Sequence, residues 1–296
     1  MGGFIHMEKE IVNEHFVRLK KLIPVNYLDK IEVILASSYK VEDGIQTYNP
    51  LIIQDFLNEI IESDEKQIIV KKLLLAGFIL KNWSTLTLLK NKAYEQFFQR
   101  ACHFFSDDYT LRNIDVFWKE LAIARLQFFP IHSGVAEFYS GFGISQGLSL
   151  NPIQMFQFLK ILLFKGRRPY YQIHTHTPVL NNFNPEGWQE SYKEIAKMLK
   201  LNSNIKGVVR GSWFFDPKVK EISPHLGYLR DFPLQNGAET FRIGPDTSGN
   251  ALATSKSRLK KFEEGKYTPM NYLLVWPREA IISWYEESER NSSKIS

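Results

Sequence analysis

The chain has 296 residues, of which 44% are hydrophobic and 14% aromatic, and its formal net charge is +5. This length and composition suffice for one large domain or two smaller ones with a substantial core, and they exclude an intrinsically disordered chain. The slight positive excess is mixed with acidic residues and comes with no nucleic-acid-binding motif, so we expect weak attraction to anions such as phosphates and no nucleic-acid partner.

Apolar residues at helical spacing predict that the first part of the chain is helical. Pro24 ends the first of these helices, and Pro50 begins the next as a first-turn residue. The helix over Lys66–Leu80 is apolar on all sides and is expected to be central. The predicted helices are Lys9–Leu22, a helix that begins at Pro50 and includes Ile61, Lys66–Leu80, Asn91–Phe105 and Ile114–Leu126. They define a helical N-terminal region over residues 1–126.

After residue 126, short β-rich segments alternate with helical ones, which predicts an α/β (α+β) domain over residues 127–296 with a mixed sheet flanked by helices. Proline at the first turn marks several of the helices. The predicted strands are Leu126–Pro130, Val135–Tyr139, Tyr170–Thr175, Ile205–Phe214, Glu239–Ile243 and Tyr272–Trp276. The predicted helices are Pro152–Phe164, Pro185–Leu199, Pro217–Leu229, Ser255–Glu264 and Pro277–Glu287.

The sequence also bears on the compartment in which the protein works. Cys102 is the single cysteine, so an internal disulfide cannot form and a reducing, cytoplasmic location is expected. The first residues lack a basic segment followed by an apolar run, so no signal peptide is predicted. The longest apolar run, Leu73–Leu80, is shorter than the ~20 residues that a spanning helix needs, and no membrane insertion is predicted.

Two histidines two residues apart are the best local indication of chemistry. In the predicted strand Tyr170–Thr175 and its continuation, His174 and His176 would face the same side of a sheet. Paired imidazoles can bind a metal, bind an anion or transfer protons. A metal site would need at least one further ligand from elsewhere in the chain. The candidates are His132, Glu137, Asp216 and His225, and none of them lies at a sequence spacing that identifies it as a ligand. We therefore predict no tightly bound metal and favour a polar active site or ligand groove, with simple hydrogen bonding to neighbours as the alternative.

Residues Gly143–Gly147 fit the G-x-S-x-G pattern of a nucleophile elbow, with Ser145 as the serine. The next predicted helix begins only at Pro152, whereas an elbow passes directly into its helix. Asp216 and His225 follow in the order that a hydrolase needs, but they share one short helical segment. We favour a glycine-rich loop before a helix over a hydrolase site.

The segment Arg210–Pro217 has the pattern of a buried strand that leads into a helix. Pro217 suits the first turn, and Asp216 is expected to cap the helix by accepting a backbone N–H two or three residues on. A role for Asp216 in the site is the alternative. Ser212 and Trp213 would lie at the carboxyl end of the strand, where α/β sheets usually bind ligands.

A small polar loop from Asp246 leads into a basic helix. Backbone N–H groups at its start, together with Lys256 and Arg258, would suit a phosphate group. We favour the simpler interpretation, a surface loop followed by a solvated helix face.

The order of elements from Tyr170 onward resembles the second half of the N-acetyltransferase (GNAT) fold, which runs strand, helix, strand, helix, strand, strand. The pieces Ile173-His174 and Ser212–Pro217 are also similar to segments of GNAT-like C-terminal domains of bacterial acyltransferase-like proteins, which follow a helical N-terminal domain. The resemblance covers roughly a third of the chain. GNAT enzymes hold the coenzyme A pyrophosphate with a glycine-bearing turn of pattern R-x-x-G-x-G/A, and the turn Thr177–Gly187 lacks that pattern.

The resemblance implies acyl transfer from acyl-CoA to a small-molecule acceptor. His174 or His176 would be the general base, with Ser212 as a further catalytic residue. Tyr171, Trp213 and Asp216 would line the substrate pocket, and Lys256, Arg258 and Asn184 would bind the cofactor. Two alternatives stay open: a metal-dependent enzyme that uses His174 and His176, and a non-catalytic ligand- or protein-binding protein.

Overall fold

The computed structural model describes residues 2–37, 51–60, 64–88, 97, 113–147 and 150–293. The predicted helix Asn91–Phe105 therefore lies outside the described residues, apart from Phe97. The chain divides into two compact units: Met1–Ala136 with Thr175–Leu180, which we call the helical unit, and Glu137–His174 with Asn181–Ser296, which we call the sheet unit. No helix in the described ranges has the length and apolar character that crossing a membrane requires.

The helical unit is built around one apolar helix. Its helices are α1 (Gly2–Lys20), α2 (Val25–Ala36), α3 (Leu51–Glu59), α4 (Asp64–Lys81), α5 (Trp83–Leu88) and α6 (Ile114–Ala124). Helix α4 packs against α1, α2, α5 and α6, and Leu73, Leu74 and Ala76 on it are fully buried, so its predicted central position is confirmed. Helix α2, which the sequence did not predict, buries Ile31 and Ile34 directly after the break at Pro24.

The structure is mixed α/β, as predicted, and the described residues contain one sheet of six strands. The strands are β1 (Phe128–Ile131), β2 (Gly134–Ser140), β3 (Tyr170–Thr175), β4 (Gly207–Ser212), β5 (Glu239–Pro245) and β6 (Met270–Pro277), in the order β1-β2-β3-β4-β6-β5. β3 and β4 are parallel, whereas β6 is antiparallel to both β4 and β5. All six predicted strands are present, with ends that differ by a few residues.

The helices of the sheet unit are α7 (Pro152–Phe164), α8 (Pro185–Leu201), α9 (Pro217–Ile222), α10 (Tyr228–Gln235), α11 (Asn250–Ala253), α12 (Lys256–Glu263) and α13 (Arg278–Ser292). The prediction of one helix over Pro217–Leu229 is wrong. Helix α9 ends at Ile222 and a short 3-10 turn, Pro224–Leu226, separates it from α10. Pro224 has no backbone N–H to continue the α-helical ladder, and this accounts for the break.

Helices cover both faces of the sheet in the sheet unit. On the face that we call the front, Phe158 and Ile161 of α7 pack with Tyr170, Val209 and Val275. On the back face, Trp276 packs in an aromatic cluster with Tyr192 of α8, Phe232 of α10 and Trp284 of α13. Neighbouring residues of a strand face opposite sides, so Val275 of β6 faces the front and Trp276 faces the back.

The cap predicted at Asp216 is confirmed. Its Oδ1 accepts the backbone N–H of Lys218 at 3.0 Å, and Pro217 occupies the first turn of α9. The structure adds a second contact, because Oδ2 accepts the backbone N–H of Met270 at 3.3 Å. Burial raises the pKa of the Asp216 carboxyl although both hydrogen bonds act in the opposite direction.

We expect Asp216→Ala to lower the free energy of unfolding by about 2 kcal/mol, because it leaves the N–H groups of both Lys218 and Met270 without this acceptor. Asp216→Ser should recover the part that comes from capping, since a hydroxyl caps nearly as well but has one oxygen only. Urea unfolding of the three proteins measures both differences. A serine variant as stable as the wild type would show that the Met270 contact contributes nothing.

Candidate functional site

Four polar side chains form two pairs across the neighbouring strands β2 and β3, on the front face of the sheet unit. His174 Nε2 lies 2.7 Å from Glu137 Oε2, and the Ser140 hydroxyl donates to Gln172 Oε1 at 2.6 Å. In the parallel ladder, Gln172 of β3 lies directly opposite Val209 of β4. Val209 packs in the core against α7. Gln172 and, two residues on, His174 therefore face the front. We call Glu137, Ser140, Gln172 and His174 the polar patch.

An unusual backbone at Tyr139 allows the β2 half of the polar patch. Glu137 and Ser140 are three residues apart, so regular alternation would place them on opposite faces. Tyr139 between them has φ of 56°, in the left-handed region that a residue with a side chain rarely adopts. This residue interrupts the alternation, and both polar side chains reach the same face of β3.

The His174–Glu137 pair has the geometry of an oriented base. The two side chains are 18% and 19% exposed, so solvent or a ligand reaches them while most of their surface is protected. When Nε2 donates to the carboxylate, Nδ1 is the ring nitrogen that can accept a proton. A carboxylate that fixes the tautomer and stabilises the imidazolium is the arrangement that general-base catalysis uses.

The surface next to the polar patch is open at Gly211 of β4. Gly211 is two residues beyond Val209 and therefore faces the front. A Cβ atom at this position would contact only the Cδ1 of Ile243, at 3.9 Å. β3 and β4 pair at Tyr171–Val208 and Gln172–Val209, whereas β4 stays paired with β6 through Ser212. Gly211 thus lies beyond the last paired residues of the parallel strands β3 and β4, at their carboxyl ends. Sheets of α/β proteins bind ligands at this end.

We expect Gly211→Ala to fold as the wild type does and to leave a reaction at the polar patch nearly unchanged, because the Cβ meets only an ordinary van der Waals contact. Gly211→Leu should fold equally well, but it should raise the KM of such a reaction at least about tenfold, since its larger side chain fills the front surface at the end of β4. Thermal unfolding and steady-state kinetics of both variants test this. Equal kinetics for the leucine and alanine variants would place substrate elsewhere.

The structure places two predicted site residues on the back face, away from the polar patch. Tyr171 precedes Gln172 in β3, is fully buried against Phe138 and accepts a hydrogen bond from the Asn202 amide through its hydroxyl. Ser212 follows Gly211 in β4, and its hydroxyl oxygen accepts the backbone N–H of Phe214. Because successive residues of a strand face opposite sides, neither Tyr171 nor Ser212 lies on the same face as His174.

The two histidines do not share a site. His176 follows the end of β3, in the segment that belongs to the helical unit. Its Nε2 lies 2.7 Å from Oε1 of Glu120 on α6, with the two side chains 1% and 0% exposed. The neighbouring Lys119 donates to the Thr175 carbonyl at 2.9 Å. His176 is therefore a buried residue that pairs with α6 inside the helical unit, whereas His174 is accessible.

Trp213 and Arg258, predicted for the pocket and the cofactor, meet in the interior. The Arg258 guanidinium lies over the Trp213 ring, 4.5 Å from its centroid. Its three nitrogens donate to the carbonyl of Ala251 and the hydroxyls of Ser223 and Thr254. Burial lowers the pKa of Arg258. Its side chain holds α11, α12 and the 3-10 turn before α10 together, and a phosphate would have to displace these hydrogen bonds.

Asn184 and Lys256 complete the predicted cofactor set. Asn184 caps α8 by accepting the backbone N–H of Gly187 at 2.8 Å, and Lys256 is an exposed residue at the start of α12. With Arg258 buried and Asn184 engaged in capping, these residues do not fit a pyrophosphate group.

Neither a metal site nor a nucleophile elbow is found in the described part of the chain. There, no group of three or more His, Cys, Asp or Glu side chains could hold a metal ion. Ser145 is exposed in a 3-10 turn, Ile144–Gly147, and α7 begins only at Pro152. This turn matches the predicted glycine-rich loop before a helix.

Sequence reasoning missed Ser140, Gln172 and Gly211, and it named Glu137 only as a candidate metal ligand. Because residues two apart in a strand face the same side, the sequence of β3 does predict that Gln172 and His174 share a face. The partners on β2, Glu137 and Ser140, depend on how β2 and β3 are aligned and on the backbone conformation of Tyr139, and neither of these can be predicted from the local sequence.

Comparisons with protein-family models, curated proteins and solved structures find no match to this chain.

Proposed function

We propose that this chain is an enzyme that transfers an acyl group to a small acceptor, with His174 as the general base. The observation that carries the proposal is the His174–Glu137 pair, 2.7 Å apart, partly exposed and located on the front face. A neutral imidazole has the basicity needed to remove a proton from an acceptor near pH 7. Glu137 is the positioning residue that fixes its tautomer.

In the proposed step, the acceptor nitrogen or oxygen forms a bond to the acyl carbon while its proton moves to Nδ1 of His174. The bond between the acyl carbon and its leaving group then breaks, and the imidazolium returns the proton to that group. Gln172 and Ser140 give the acceptor further hydrogen-bonding groups on the same face. The open surface at Gly211 leaves room for the reacting atoms.

The order of elements supports the resemblance to the GNAT fold. From β3 onward the sheet unit runs strand, helix, strand, helix, strand, strand, with the second helix divided into α9 and α10 and with α11 and α12 added before the last strand. The printed pairs of the β3–β4 ladder end at Gln172 and Val209, so the carboxyl ends of these two parallel strands provide the place where α/β sheets bind ligands. The pyrophosphate contacts of coenzyme A have no such support, so the proposed donor is an activated acyl compound, with acyl-CoA as the first to test.

The test is a product assay on the purified full chain. The chain is incubated with a panel of acyl-CoA thioesters and small amines and alcohols, and acylated products and released thiol are measured by mass spectrometry. We expect a product whose formation requires His174, so that His174→Gln abolishes it while His225→Gln, a change of an exposed histidine in the same unit, does not. Product formation that is equal in the His174→Gln variant would overturn the assignment.

The single cysteine supports a reducing, cytoplasmic compartment for this activity. The resemblance to the GNAT fold also supports a small molecule as the acceptor.

A further inference from the structure

Helix α7 carries a strongly apolar exposed side. The residues on this side, which we call the α7 stripe, are Ile153, Phe156, Leu159, Leu163 and Phe164, and they are 45% to 80% exposed. At 100° per residue they lie within an arc of about 140°. On the other side of the helix, Phe158 and Ile161 are buried in the core, so the stripe is held facing outward.

The area of the stripe matches a protein interface. With about 200 Å² taken for each residue, the middle of the range for aromatic side chains, the five residues at their observed exposure present at most roughly 700 Å² of apolar surface. The largest apolar patch of a typical monomer is about 300–600 Å², whereas a stable interface buries about 800 Å² on each partner. The stripe is therefore large enough to form most of one side of an interface.

The charges beside the stripe make this surface self-complementary. Lys160 lies within the arc of the stripe, and a groove of about 590 Å³ beside it is lined by Ile153, Phe156, Lys160 and Glu239, among others. Burial raises the pKa of Glu239, while Lys160 acts against that shift. In a two-fold symmetric contact across this groove, a pair between Lys160 of one copy and Glu239 of the other would occur twice, once in each direction. An anionic lipid surface is a poorer match, because it would repel Glu239.

We propose that the α7 stripe and its groove join two copies of this chain in a two-fold symmetric dimer. The apolar side chains supply the buried area, and two symmetry-related Lys160–Glu239 pairs set the orientation. The proposal does not depend on the proposed acyl transfer, since the stripe lies on the outer side of α7, away from the sheet.

Sedimentation velocity of the full chain over a range of concentrations tests the proposal. We expect a dimer for the wild type and a dimer dissociation constant at least about tenfold higher for Phe156→Glu and for Leu163→Glu. Leu201→Glu is the matched control, because it makes the same chemical change at an exposed leucine of α8. Circular dichroism checks that each variant is folded.

A charge exchange separates this dimer from unspecific association. Lys160→Glu and Glu239→Lys should each weaken the dimer, and the double variant should restore it, since the pairs then form with opposite polarity. A monomer at every concentration, or a dimer that none of these substitutions weakens, would overturn the proposal. So would a monomeric chain that sediments with phosphatidylserine vesicles through the stripe, which would assign the surface to lipid.

Discussion

His174→Gln is expected to lower kcat/KM of the proposed transfer by about 10²–10⁴-fold, the usual contribution of a positioned general base. The amide can keep a hydrogen bond to Glu137 but has no basic lone pair, so the loss should lie mainly in kcat. Glu137→Gln should also lower kcat, because an amide no longer fixes the tautomer of the imidazole. Steady-state kinetics of the purified variants measure both losses.

The double variant His174→Gln/Glu137→Gln distinguishes catalysis from a structural role. If Glu137 acts through His174, the double variant should be little slower than His174→Gln alone, because groups that work as a unit are not additive. Losses that simply multiply would contradict the assigned roles.

Most elements of the sheet unit could be predicted because their signals are local. The helix over Pro152–Phe164 has the predicted bounds, since Asn151 caps it and Pro152 suits its first turn. The strand Tyr170–Thr175 also has the predicted bounds. The break at Pro224 was equally local, because a proline inside a helical pattern ends the helix before it.

The candidate site was only half predictable, because its parts come from separate segments. His174 stood out by composition, but its partner Glu137 is 37 residues earlier in the chain. His176 appeared equivalent to His174, and only the structure shows that its partner is Glu120 on α6. Arg258 belonged to a basic helix that favoured a solvated or phosphate-binding face. Its burial depends on Trp213 and Ser223, which are distant in sequence.

His176→Leu is expected to lower the free energy of unfolding by about 3–5 kcal/mol, although His176 takes no part in the proposed reaction. The Glu120 carboxylate is fully buried, and removing the imidazole leaves it without the hydrogen bond at 2.7 Å. Breaking a buried pair by removing one partner has a cost of this size, because the remaining charge stays desolvated. Urea unfolding measures it.

Two further variants separate the buried carboxylate from a loss of packing. His176→Leu/Glu120→Leu should be clearly more stable than His176→Leu, since replacing both partners by apolar residues also removes the buried carboxylate. Glu32→Gln breaks an exposed ion pair with Lys20 in the same unit and should cost less than about 1 kcal/mol. Per folded molecule, His176→Leu should keep the activity that His174→Gln loses. A His176→Leu protein that is as stable as Glu32→Gln but inactive would mean that the two histidines have exchanged roles.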